Sequence, residues 1–164
     1  MYAAKLIYLT IAVPYLNYCN IVWSSCPPSF LQRLISTQKK LIRLITKSGR
    51  FDHTTPLFHQ LRLLKVKELN NLNISLFLFK SLNHLINSPI NFTERLAVPY
   101  NLRNVNHLDI PFTRSAQTKR FPHVRGADLW NKLPNQIRSA RTVKTFSKNL
   151  KNKYIETYRA NHNA

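Results

Sequence analysis

The stretch RFPHVRGADLWNKLP, residues 120–134, places three basic side chains, one of the chain's two glycines and one of its two tryptophans within fifteen residues. Glycine suits a positive φ or a close backbone approach, and we expect Gly126 to turn an extended arm into a short helix. Leu129, Trp130 and Leu133 then share one face of that helix, spaced for burial. Because tryptophan at helical spacing is more often a core residue than a stacking platform, we expect Trp130 to be buried.

The composition favours a folded, helical and strongly basic chain. Only 2 of the 164 residues are glycine, far below the average of about 7%, which disfavours turn-rich sheets and glycine-rich phosphate loops. Lysine and arginine total 25 against 6 acidic residues, giving a net charge of +19, while 44% of the residues are hydrophobic. A disordered polycation would lack that apolar fraction. The sequence therefore predicts a mainly α-helical protein with a polyanionic partner.

Helical periodicity is clearest from residue 29 to residue 47 or 48. Ser29 is the expected N-cap, and Gly49 is the expected C-terminal stop. Apolar positions share one side of the helical wheel, and basic positions share the other: Arg33, Lys40, Arg43 and Lys47. A cationic helix face is usually a solvated surface, but no acidic residue precedes Asp52, so ion pairing at i,i+4 cannot explain it. We expect this face to follow a nucleic-acid backbone.

Three more helices are predicted. A short one over residues 57–61 follows Pro56, with a threonine as its cap. A longer one over residues 66–86 carries a broad apolar stripe and is the expected partner of the first two helices. Thr142 caps the last helix, which extends to about Tyr158. Its inward positions are Val143, Phe146, Leu150 and Tyr154, and its outward positions are Arg141, Lys144, Lys148 and Lys151.

Residues 88–125 break the helical pattern with repeated prolines and predict an extended arm. A short β-pairing between residues 105–110 and a later segment is compatible with its apolar runs. Basic residues flanked by aromatics suit a strand that lies along phosphates: Arg103, Arg114, Lys119, Arg120 and Arg125. We divide the chain into a helical bundle (1–87), this arm (88–125) and a C-terminal helical segment (126–164) that packs back on the bundle.

The apolar N-terminal stretch, residues 6–23, approaches the ~20 residues of a membrane span. Within a membrane span, three residues would interrupt the backbone hydrogen bonds of the helix and place amides in lipid: Pro14, Asn17 and Asn20. A membrane span is therefore the minor alternative. Cys19 and Cys26 form neither a metal pair nor a disulfide framework, which favours reduced, intracellular thiols. A methionine at the start of such a helix suits a truncated copy or a fragment of a longer gene.

The sequence shows no catalytic motif. Polymerases hold two metal ions with paired aspartates, but Asp52, Asp109 and Asp128 are far apart in the sequence. Signatures of nucleophiles and phosphate loops are absent, and the histidines lack ligand spacing. We predict no catalytic residue, no metal and no cofactor.

Several motifs resemble one family in the same order. Residues 120–134 resemble the R-x-x-G-x-x-x-W-N-x-L-P signature of jockey-like LINE (non-LTR) retrotransposon reverse transcriptases, through Arg120 or Arg125, Gly126, Trp130, Asn131, Leu133 and Pro134. VPYLNYC (13–19) with IVW (21–23) resembles P-x-L-x-Y-x-x-x-x-W, and QKK (38–40) with Ile42 and Arg43 resembles Q-K-[KR]-x-[IL]-R. HTTPLF (53–58) resembles the turn that follows this helix in the family, and YNLR (100–103) resembles the family's Y-x-T-R, with Leu102 in place of threonine. The family's [FY]-x-D-D motif is absent.

The resemblance covers only the thumb and C-terminal extension of the parent RNA-directed DNA polymerase. It implies a thumb-like bundle that holds RNA or the primer–template backbone, with the missing palm and fingers as further partners. We predict an intracellular nucleic-acid-binding fragment, in the nucleus or cytoplasm, without enzyme activity of its own. The alternative is a non-enzymatic helical interaction module that binds acidic protein or membrane headgroups. The predicted contacts are Arg33, Lys40, Arg43, Lys47, Arg103, Arg114, Lys119, Arg120 and Arg125.

Overall fold

The computed structural model describes residues 2–88, 90, 92–93 and 107–160, and this part of the chain is mainly helical without a strand. The fold class predicted from the sequence, a helical bundle, is confirmed. The helices are α1 (Tyr2–Ile7), α2 (Val13–Asn17), α3 (Asn20–Trp23), α4 (Pro28–Thr46), α5 (Thr54–Leu61), α6 (Val66–Leu82), α7 (Pro122–Asn131), α8 (Asn135–Arg138) and α9 (Val143–Ala160). A π-helical turn (Tyr8–Ala12) joins α1 to α2, and a 3₁₀ turn (Thr118–Arg120) precedes α7.

Helix α6 is the centre of the molecule. Its buried residues surround the helix axis, including Leu72, Ile74, Leu78 and Phe79, because α7, α9 and the N-terminal helices pack against different sides of it. A helix that is apolar on all sides requires such enclosure. The helix ends at Leu82, four residues earlier than predicted, and His84 then takes a left-handed conformation with φ of 53°.

Two hydrophobic clusters hold the helices together. In the first, the Phe146 ring of α9 stacks on Phe79 of α6 at 4.5 Å between centroids, and Trp130 of α7 lies 6.0 Å from the same ring. Trp130 is only 8% exposed, so its predicted place in the core is confirmed. The second cluster joins α4, α5, the end of α9 and the π-helical turn: Tyr8, Ile42, Ile45, Phe58, Leu61, Leu63 and Tyr158.

The buried side chain of Gln38 fastens α4 to the start of α6. Its Oε1 accepts a hydrogen bond from the Val66 N–H at 2.9 Å, which satisfies one of the unpaired donors at that helix terminus. Its Nε2 donates to the Leu64 carbonyl and to the Tyr8 hydroxyl, each at 2.9 Å. Gln38 is buried on the same side of α4 as Ile42 and Ile45, and its three hydrogen bonds explain how an amide is accommodated there.

Gly126 has a different role from the one expected. It lies inside α7 without a positive φ, and α7 already begins at Pro122. A Cβ at this position would lie 3.2 Å from Leu78 Cδ1 and 3.4 Å from Ile74 Cγ2. The glycine therefore permits close approach of α7 to α6, and the extended arm ends before it.

Other helix boundaries also differ from the predicted ones. Helix α4 begins at Pro28, whose fixed φ suits the first turn, rather than after a Ser29 cap. It ends at Thr46, and the left-handed residue that follows is Lys47, with φ of 56°, not Gly49. Helix α5 includes Thr54. Thr142 does cap α9, since its Oγ1 accepts from the Thr145 N–H at 3.2 Å.

The described part of the arm is fixed to α7. The Asn131 side chain binds both the N–H and the carbonyl of Leu108, each at 2.9 Å, and the Asp109 N–H donates to the Thr93 carbonyl at 2.9 Å. The expected β-pairing of this segment with a later one is therefore wrong for residues 107–110. Asp109 binds the earlier residue Thr93, and Leu108 binds the side chain of Asn131. Val105 and Asn106 lie outside the described residues.

Candidate nucleic-acid interface

The outer face of α4 carries the predicted cations. Arg33, Lys40 and Lys47 are exposed, while Ile42 on the opposite face is 0% exposed, so the helix is oriented as the sequence indicated. Leu44 lies on the outer face as well and is 75% exposed. This helix face thus combines positive charge with an apolar side chain.

The turn after α4, residues 47–52, is held by the fourth basic residue of the predicted set. Arg43 donates from Nε and Nη2 to the Asp52 carbonyl, at 3.1 and 2.9 Å. The Asp52 carboxylate accepts from the Gly49 N–H at 2.6 Å. Arg43 therefore positions the turn, and the Asp52 carboxylate points back into it.

Helix α4 and this turn enclose an open groove of about 730 Å³. Arg50 and Phe51 were not among the predicted site residues, because their side chains meet α4 only through the fold of the turn. Phe51 is 90% exposed. The lining residues, which we call the α4 groove, are Lys40, Arg43, Leu44, Lys47, Ser48, Arg50 and Phe51.

The groove is electrostatically unbalanced. Within the described part of the chain, the one ion pair is between Lys132 and Asp128, 2.6 Å apart and on another helix. Lys40, Lys47 and Arg50 thus have no carboxylate within 4.0 Å among the described residues. Unpaired cations that converge on one groove create a positive potential that attracts anions.

The arm residues do not join the groove. Arg114 and Lys119 are exposed, and Arg120 is half-buried at the end of the 3₁₀ turn. That turn is capped by the Ser115 hydroxyl, which accepts from the Thr118 N–H at 3.1 Å. Arg103 lies outside the described residues.

Arg125 is used in packing, contrary to its predicted role. Its Nη2 donates to Asn71 Oδ1 on α6 at 2.5 Å, and its Nη1 donates to the Ser24 carbonyl at 3.4 Å. Burial lowers the pKa of its guanidinium below the usual value, against the opposing influence of Tyr154. We therefore assign Arg125 to the joint between α7, α6 and the end of α3 and remove it from the phosphate-contacting set.

A second basic face lies on α9. Its predicted outward residues are all exposed, and its inward residues Phe146 and Leu150 are fully buried. Beside this face, Arg62 Nη2 donates to Asn152 Oδ1 at 3.0 Å and joins the end of α5 to α9. The exposed cations are Arg141, Lys144, Lys148 and Lys151.

Two tyrosines, the half-buried Tyr154 and the buried Tyr158, connect α9 to the rest of the bundle. Burial raises the pKa of Tyr154 to about 12 and also raises that of Tyr158, whose hydroxyl accepts from the Lys65 N–H at 3.1 Å. The Lys65 ammonium lies 4.6 Å from the Tyr158 ring centroid and has a pKa lowered by burial. These groups hold the fold and lie apart from the α4 groove.

Neither a metal site nor a relative identifies this interface. The described residues contain no group of three or more histidine, cysteine, aspartate or glutamate side chains that could hold a metal ion. None of the described helices has the length and hydropathy required to cross a membrane. Comparisons with family models, with curated proteins and with solved structures give no match.

Proposed function

We propose that this chain is a nucleic-acid-binding fragment of a LINE-type reverse transcriptase, corresponding to the thumb and C-terminal extension. It holds RNA or primer–template backbone inside the cell, in the nucleus or cytoplasm, and has no polymerase activity of its own. The observation that carries the proposal is the α4 groove, where Lys40, Lys47 and Arg50 converge with no carboxylate partner in the part of the chain that the structure describes. The motif resemblance is consistent with this role.

The many exposed apolar side chains of residues 2–22 support the second partner, the palm and fingers of the parent enzyme. Exposed apolar surface is typical of interaction sites, and this segment carries a single lysine, Lys5. Co-expression with a palm-bearing segment tests it, because Ile11→Asp should abolish co-purification and Lys5→Ala should not. The exposed residues are Tyr2, Leu6, Ile7, Leu9, Ile11, Tyr15, Tyr18 and Val22.

The dependence of affinity on salt tests backbone binding. If Lys40, Lys47 and Arg50 each neutralise one phosphate, their triple alanine variant should flatten the slope of log K against log salt on duplex by about 2.7, at about 0.9 per contact. Fluorescence anisotropy between about 50 and 200 mM salt measures this slope. The matched control removes three exposed charges elsewhere, Lys67, Lys132 and Arg159.

The same titrations separate the alternatives. Equal slopes for the two triple variants, both folded by circular dichroism, would contradict the assignment of the α4 groove. A helical adaptor would instead bind one acidic protein or anionic vesicles and fail to bind nucleic acid. Primer–template with magnesium and nucleotides should show no extension above a heat-treated control, and extension that persists through repurification would refute the fragment proposal.

A further inference from the structure

Phe51 is the most exposed large hydrophobic residue described, and it does not sit on a loose loop. The turn that carries it is fixed by the Arg43 and Asp52 hydrogen bonds and by a 2.7 Å bond between the Thr46 and Ser48 hydroxyls. An aromatic ring exposed to solvent in this way gains nothing for the fold. The hydrogen-bonded turn does, however, present it to a flat ligand, so the backbone needs little ordering on binding.

The surroundings of this ring specify the ligand. Leu44, also exposed, extends the apolar surface of the groove, while Lys40, Lys47 and Arg50 supply positive charge along its sides. The volume of about 730 Å³ lies within the range of about 300–1,000 Å³ that is typical of sites for small organic molecules. An aromatic platform bordered by cations is the arrangement that binds bases and phosphates of a single strand.

We propose that the α4 groove binds an unpaired nucleotide within single-stranded nucleic acid, with the base stacked on Phe51 and the flanking phosphates on Lys40, Lys47 and Arg50. This rests on the proposed nucleic-acid binding and adds a preference of this groove for single strands. In a duplex the faces of the bases are stacked inside the helix, so only the phosphates could reach the groove. RNA and DNA offer the same base faces and phosphates, and the experiment compares both.

Substitution of the platform tests the proposal. Phe51→Ala should weaken binding to single-stranded RNA and DNA oligonucleotides about 5- to 150-fold, the range for loss of one stacked base. Affinity for a blunt duplex should not change. Phe51→Trp should retain single-strand binding, and the fluorescence of the introduced indole should be quenched by the oligonucleotide. Phe51→Leu should bind weakly, since it keeps an apolar side chain but no ring.

Phe30 supplies the matched control. It is an exposed phenylalanine at the other end of α4, three positions before Arg33 and outside the groove. Phe30→Ala should leave both affinities unchanged. Inorganic polyphosphate and anionic phospholipid vesicles serve as base-free polyanions, and Phe51→Ala should not weaken their binding.

The outcomes distinguish this proposal from the proposed function. Unchanged single-strand affinity in Phe51→Ala, with normal salt-dependent duplex binding, would overturn the stacking site and leave the proposed function standing. Equal losses on single strands, duplex and polyphosphate would show a general polyanion site and also overturn it. Wild-type protein that binds neither single strands nor duplex would overturn both.

Discussion

Arg125→Met is the variant that best separates a structural arginine from one that binds phosphate. Methionine keeps much of the apolar length of the side chain but removes the guanidinium that binds Asn71 and the Ser24 carbonyl. A hydrogen bond from a charged donor contributes about 1.5–3 kcal/mol, and the longer bond at 3.4 Å contributes at the weak end. Relief of the desolvated charge offsets part of this loss.

We expect a net destabilisation of about 2 kcal/mol, which lowers the melting temperature by roughly 4–8 °C for a chain of this size. Urea unfolding followed by circular dichroism measures the first quantity, and calorimetry measures the second. Arg114→Met is the control, because Arg114 is exposed and substitutions at such sites usually stay within about 0.5 kcal/mol.

A double-mutant cycle makes the test specific to the proposed contact. If Arg125 acts through Asn71, then Asn71→Ala should add little to Arg125→Met, with a coupling energy of about 1 kcal/mol or more. Additive effects would contradict this contact. Unchanged stability in Arg125→Met, together with a flatter salt slope on duplex, would return Arg125 to the phosphate-contacting set and refute our reassignment.

Two further predictions concern stability. Ile42→Asp should unfold the second hydrophobic cluster, because an unpaired buried charge costs several kcal/mol, whereas Lys40→Asp on the exposed face should not; equal urea midpoints would contradict the orientation of α4. Burial raises the pKa of Tyr154 from 10.0 to about 12. The contribution of the neutral Tyr154 hydroxyl to the free energy of unfolding is therefore fully present below pH 10 and is lost as the pH rises towards 12. Tyr154→Phe should therefore lose less unfolding free energy over this interval than wild type, and equal losses would count against it.

The sequence predicts helices better than their contacts. Its periodicity locates the faces of α4 and α9 because burial imposes the helical repeat on the residues themselves. It predicts α6 as the partner of the helices before it, whereas the structure puts Ile42 of α4 with Phe58 and Tyr158 in the second cluster. Tyr158 lies over a hundred residues away from Ile42, and no local pattern encodes such a partner.

Gly126 shows why a local rule can favour the wrong explanation. Both a positive φ and a close approach require glycine, and only the position of α6 decides between them. Leu78 and Ile74 lie at 3.2 and 3.4 Å from the missing Cβ, and their sequence positions are about fifty residues earlier. The predicted start of α7 at Gly126 lies four residues after the observed start at Pro122. The prediction followed the rule that glycine within a helix lowers helix propensity.

The sequence predicts least well which basic side chains are available for binding. Arg43 and Arg125 both lie in basic stretches, yet hydrogen bonds to Asp52 and Asn71 commit them to the fold. Among the described residues, Lys40 and Lys47 have no carboxylate partner, and the Asp52 carboxylate binds the Gly49 N–H instead of a cation. The binding face that we propose is therefore set by which cations the described part of the fold leaves without a carboxylate, and Arg43 contributes to it indirectly by fixing the turn that presents Phe51.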